Sequence, residues 1–152
     1  MREHLPSELV DRDDRKQLAS ALRKLATGKL TNFAFEDLVP FRTQDAGVRA
    51  VADHAWYLYS DLHEHELRGE AALTREGRRE VARWLLFLDT DVEYEWPDMR
   101  WARAALVPFN VLSLGAAGAA MRWWLARRGA LDVWPFIRRS DLDVAMRRWP
   151  RR

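Results

Sequence analysis

The stretch "DHAWYLYSDLHEHE", residues 53–66, holds three of the chain's four histidines among acidic side chains. On a helix, Asp61 and His65 stand four residues apart, the spacing at which two side chains meet one ion. His54 shares their stripe but lies about 10 Å from Asp61 at 1.5 Å per residue, too far to join them. There is no His-Glu-x-x-His pair. A third ligand must come from elsewhere, and metal-assisted hydrolysis through Asp61, His65 and a distant carboxylate is the chemistry such a site would perform. The competing reading is a solvated polar face opposite an apolar stripe.

A second cluster follows in "DTDVEYEW", residues 89–96. If the segment is extended, Asp89, Asp91, Glu93 and Glu95 share one face while Val92, Tyr94 and Trp96 share the other. A row of carboxylates offers oxygen ligands for Mg²⁺ or Ca²⁺, yet it lacks the glycine and ligand spacing of a calcium loop. It also resembles a charged edge that resists strand pairing. The third reading is a surface for a basic protein partner, with Asp89, Asp91, Glu93, Tyr94, Glu95 and Trp96 as the contact residues and charge steering the encounter.

Other chemistries find little support. The chain has no cysteine, which excludes thiol catalysis, disulfides and cysteine-ligated metals. No Gly-x-Ser-x-Gly surrounds any serine, and no glycine-rich loop is built to cradle phosphate. No cofactor is implied. Arginines and tryptophans interleave after residue 121, a pattern also found in nucleic-acid binders, but no recognised nucleic-acid motif accompanies them. The expectation is therefore a protein partner rather than nucleic acid.

With 152 residues, 48% apolar and 32% charged, the chain fits one globular domain with its own core. Eight tryptophans supply large apolar area for a small core or for an interface. Net charge is +2, unevenly placed: residues 122–152 carry nine basic and three acidic side chains, against 16 and 20 before them. The opening "MREHLPSELVDRDDRK" has no apolar signal region, so the expected location is the cytoplasm.

Helices must position these groups. Leu18, Leu22 and Leu25 give a first helix over about 13–27, with Gly28 beyond its end. A second begins at Thr31 or Asn32 and turns Phe35 and Leu38 back toward it. From Asp45, a stripe of Val48, Val51, Ala52, Ala55, Trp56, Tyr59 and Leu62 predicts one long helix through "HEHEL". A fourth follows Thr74 through Val81, Trp84, Leu85 and Leu88. "LDVWPFIRR" reads as a second extended segment, and Ser140 with Asp143 as a capping box on a last helix.

Between Ala104 and Met121 no charge occurs. Eighteen residues are at the short end of a membrane span, about 17–25, and Trp101, Trp123 and Trp124 flank the run as interfacial aromatics do. Pro108, Asn110 and a face of Gly115, Ala116, Gly118 and Ala119 favour instead a broken, close-packed core helix from about Val111 to Arg127. Membrane anchoring through Ala104–Met121, peripheral or integral to an inner membrane, is one alternative, and an exposed docking surface is another.

Residues 22–38, "LRKLATGKLTNFAFEDL", resemble the SHOCT module, a bacterial helical hairpin: Leu22, Leu25, Gly28, Leu30, Thr31, Phe35 and Glu36 match, and Ala34 replaces its first glutamate. That resemblance implies a hairpin associated with oligomerisation. "LATGKLTNFAFEDL", "YSDLHEHEL" and "LDVWPFIRRSDLDVAM" are similar to a family of small bacterial proteins that carries no assigned activity. The expected architecture is mainly α: a single domain over 1–152, a compact bundle of five to six helices with one or two short extended segments. The expected function is a non-enzymatic bacterial binding protein, of the kind that acts as an immunity-type inhibitor.

Overall fold

Asp11 opens the first helix. In the computed structural model, which describes residues 10–97 and 116–149, the Asp11 carboxylate accepts from the amides of Asp13 and Asp14, and α1 runs Arg12–Ala26. It ends in a Schellman motif: Lys29 N–H donates to Lys24 O at 2.8 Å and Gly28 N–H to Leu25 O at 2.9 Å. The motif needs a left-handed residue, and Gly28 provides it with φ 63°. Thr31 then caps α2 (Asn32–Glu36), its hydroxyl accepting from Ala34 N.

Asp45 caps α3 (Ala46–Ala55), and Thr74 caps α4 (Arg75–Leu88). Two further helices follow, α5 (Ala116–Arg128) and α6 (Arg139–Arg148). The molecule is thus a mainly helical bundle, with six α-helices and no β-strand among the described residues. α1 packs on α4, α3 and α2, and α4 also meets α3 and α6. Leu18, Leu22 and Leu25 of α1 bury against Phe35, Val48, Val51 and Phe87, so helical periodicity built the core it promised.

Several expectations give way to tertiary contacts. The helix from Asp45 stops at Ala55, followed by one 3₁₀ turn, Trp56–Leu58. Trp56 is exposed and Leu62 is 88% exposed, although Tyr59 of the same stripe still packs against the core. The cause is Asn32, fully buried, whose side-chain amide donates to Ser60 O and His63 O and whose carbonyl accepts from His65 N–H. Those bonds hold residues 60–65 in a loop that a helix cannot form. Leu38 is exposed; its backbone is engaged, the N–H by Phe35 O and the carbonyl by Gln17 Nε2, but its side chain does not turn back toward α1.

"LDVWPFIRR" is not extended: it makes a 3₁₀ turn, Leu131–Val133, and a cis Trp134–Pro135 bond. Val133 and Phe136 drive that shape by turning fully into the core. Ser140 lies inside α6 rather than capping it, because the helix begins at Arg139. No helix among the described residues is long and apolar enough to cross a membrane. Residues 104–115 of the apolar run, with Pro108, Asn110 and Gly115, lie outside the described residues, as do Trp101, Arg151 and Arg152. The rest of the run, Ala116–Met121, forms the first turns of α5.

Candidate functional site

Among the described residues, no third ligand joins Asp61 and His65 on the histidine-bearing loop. Asp61 and His65 lie on the Asn32-held loop, so the helical spacing that would pair them does not exist. His65 turns its Nδ1 to His63 O at 3.0 Å. Among the described residues, no group of three or more histidine, aspartate and glutamate side chains is placed to hold an ion. Thr31 fastens the loop from the other side by donating to Glu64 Oε1 at 2.7 Å and bridging Glu66 across an isolated antiparallel pair.

The acidic segment keeps its alternation without being a strand. Asp89, Asp91, Glu93 and Glu95 are exposed, while Val92 and Tyr94 are half-buried and Trp96 is 6% exposed. What fixes it is one cation. Arg15, on α1, is buried and donates from Nη1 to Thr90 O at 2.6 Å and from Nη2 to Val92 O at 3.0 Å. Its Nε and Nη2 reach the Asp45 carboxylate at 2.6 and 3.3 Å, and its guanidinium lies 4.8 Å from the centre of the Phe87 ring. Asp45 also accepts from the amides of Asp11, Gly47 and Val48. Both charges therefore have several hydrogen bonds as well as each other, the condition under which a buried pair is tolerated.

Two of the four outward carboxylates have nearby cations: Asp91 pairs with Arg12, and Glu95 lies 3.7 Å from Arg138. The inward residues are anchored as well. Tyr94 accepts from Trp134 Nε1 at 3.2 Å, and Trp96 donates from Nε1 to Phe136 O at 3.2 Å. Of the six residues predicted as contacts, the four acids face solvent together, whereas Tyr94 and Trp96 face the body.

Behind that segment lies a cleft of about 350 Å³ that sequence reasoning missed. Its aromatic walls are His54, Trp84, Tyr94, Trp96 and Trp134. The His54 ring stacks on Trp134 with centroids 3.8 Å apart, and Trp84 meets Trp134 edge-on at 5.8 Å and 90°. Arg83 holds this wall in place by donating to Trp134 O at 2.6 Å and Asp132 O at 2.9 Å. Gly129 lets the chain close near it: a Cβ there would stand 2.5 Å from Ile137 Cγ1 and 2.7 Å from its carbonyl oxygen. The cleft's residues are spread from α3 to the loop after α5, so no local motif announces it.

The basic and aromatic residues of α5 pair with one another. The guanidiniums of Arg127 and Arg128 lie 3.8 and 4.4 Å from the ring centres of Trp123 and Trp124, each one helical turn away. Burial pushes the Tyr59 hydroxyl well above its ordinary pKa of 10.0, and the nearby charges of Glu36 and Asp61 push it further. Side-chain hydrogen bonding with Glu36 adds to the rise.

No family model, curated protein or solved structure matches this chain. Its function rests on the geometry alone.

Proposed function

We propose that this is a non-enzymatic binding protein that occludes a protein partner through the outward row Asp89, Asp91, Glu93 and Glu95. One observation carries the reading: four exposed carboxylates alternate with residues turned inward, on a segment whose backbone carbonyls are held by the buried Arg15. A row fixed in this way loses little freedom on docking, and its charge steers a basic surface toward it. The same charge repels phosphate, which argues against nucleic acid on this face. An immunity-type inhibitor covering the basic site of a toxin is the form that best fits a small protein displaying such a row. Kinship of residues 22–38 with oligomerisation hairpins is a separate proposal.

The test is affinity capture from native lysate, with cytosolic and membrane fractions analysed apart. A stoichiometric basic protein that is retained by the wild type, and lost when the four acids become amides, supports the reading. Recovery of no stoichiometric partner sinks it, and quantitative sedimentation with membranes transfers the weight to anchoring through Ala104–Met121.

A further inference from the structure

The end of α3 carries a second pocket, of about 320 Å³, lined by Asp53, Trp56, Tyr57, Tyr59 and Asp61. Three of these five residues are aromatic and two are acidic, and among the described residues no lysine or arginine lines it. We propose that this pocket is a binding site for a quaternary ammonium group, such as the trimethylammonium of choline or of a methylated lysine.

The local fold sets each wall. The 3₁₀ turn Trp56–Leu58 carries two rings out beyond α3, and with Trp56 45% and Tyr57 75% exposed both are open to a ligand. Tyr59 stands fixed beside them, packed on the core and meeting Phe35 edge-on at 6.1 Å. Asp61 follows Ser60, whose carbonyl Asn32 holds, and the charge of Asp61 is felt at the Tyr59 hydroxyl. Asp53 already has partners of its own and acts only as a wall.

Those walls define the ligand. Ring faces carry negative potential and attract a cation placed over them, more so beside a carboxylate. On α5 the protein's own arginines fill that role, Arg127 over Trp123 and Arg128 over Trp124. Among the described residues no arginine or lysine lies over Trp56, Tyr57 or Tyr59. A primary ammonium carries three donors and a tight hydration shell, which ring faces satisfy poorly. A quaternary ammonium has no N–H and spreads its charge over methyl groups, so rings and one nearby carboxylate suffice. The pocket's size is at the small end of ligand sites, ~300–1,000 Å³, as suits so compact a group. The site does not depend on the acidic row's partner.

The experiment is a titration of the uniformly ¹⁵N-labelled protein with choline chloride at constant ionic strength, read at the Trp56 indole N–H and the amides of Tyr57 and Asp61. Saturable shifts at these signals are expected. The neutral isostere 3,3-dimethyl-1-butanol, which has the same shape without the charge, is expected to bind at least tenfold more weakly. Trp56→Leu and Tyr57→Leu change exposed side chains and should leave the remaining spectrum in place; each is expected to weaken choline binding at least fivefold. Asp61→Asn is expected to weaken it severalfold. A short neutral peptide bearing trimethyl-lysine separates the two sources of the group: tighter binding than choline assigns the site to a modified protein, equal or weaker binding to a small molecule. If choline shifts none of these signals, if the neutral isostere binds as tightly, or if Trp56→Leu binds choline like the wild type, the proposal is overturned.

Discussion

Arg15 Nε lies 2.6 Å from Asp45 Oδ2, and each side chain is only 1% exposed. The two residues come from the first turn of α1 and the cap of α3, and through Thr90 O and Val92 O they also hold the segment after α4. Asp45→Asn leaves a buried guanidinium without its counter-charge, a loss of about 3–5 kcal/mol. Arg15→Met is expected to cost less, because Asp45 keeps three backbone donors. Denaturant unfolding of both single variants and of the double variant checks this. The double variant should fall short of the sum of the singles; additivity would show that the pair is not coupled.

Asn32 is expected to be the staple of the histidine-bearing loop. Asn32→Ala unpairs His65 N–H and Ser60 O, takes one of two partners from His63 O, and should cost about 1–3 kcal/mol. Hydrogen exchange locates the effect, since the His65 amide should lose its protection while the amides of α4 exchange as before. Unchanged protection at His65 would contradict the assignment.

Glycines 129 and 69 make a contrasting pair. Gly129→Ala drives a Cβ into Ile137 and should destabilise by about 1–3 kcal/mol through overpacking. Gly69 has φ 57° but open space around it, so Gly69→Ala should cost only the left-handed penalty, about 1 kcal/mol. Thermal melts of the two variants should rank them in that order.

Tyr59 predicts a stability loss at high pH. Its pKa is raised in the fold, so the folded protein holds the phenolic proton more tightly than the unfolded chain does. That contribution is complete below the ordinary tyrosine value of 10.0 and is lost as pH rises beyond it toward the folded value. The denaturation midpoint should fall above pH 10 in the wild type, and Tyr59→Phe should flatten the decline. A parallel decline in both proteins would refute it.

Converting Asp89 and Glu93 to amides should leave the unfolding free energy within about 0.5 kcal/mol of the wild type, as for exposed sites generally. Association with a captured basic partner should slow several-fold, and the slowing should shrink as salt is added. Stopped-flow kinetics at two ionic strengths measures both.

Local chemistry was legible in the chain. Asp45, Thr31 and Thr74 cap the helices their types announce, and the alternation from Asp89 to Trp96 reappears as exposure, although no strand partner is present among the described residues. What failed was where distant residues intervene: the period after Ala55 continues in sequence, but Asn32 overrides it. Arg15 had left a trace, since it precedes Leu18 by three positions on the Leu18, Leu22, Leu25 face. A charge on an apolar stripe marks a buried partner. The cleft left none, because His54, Trp84 and Trp134 meet only through the packing of separate elements.

The hub around Arg15 also bears on how the chain reaches its native state. Its three arms lie at positions 15, 45 and 90–92, so no fragment containing two of them can bury the guanidinium with all its acceptors. A half-assembled core would carry a dehydrated charge short of hydrogen bonds, which raises its free energy relative to both end states. Partial structures are thereby kept scarce, and α1, α3 and the end of α4 should consolidate in one cooperative step.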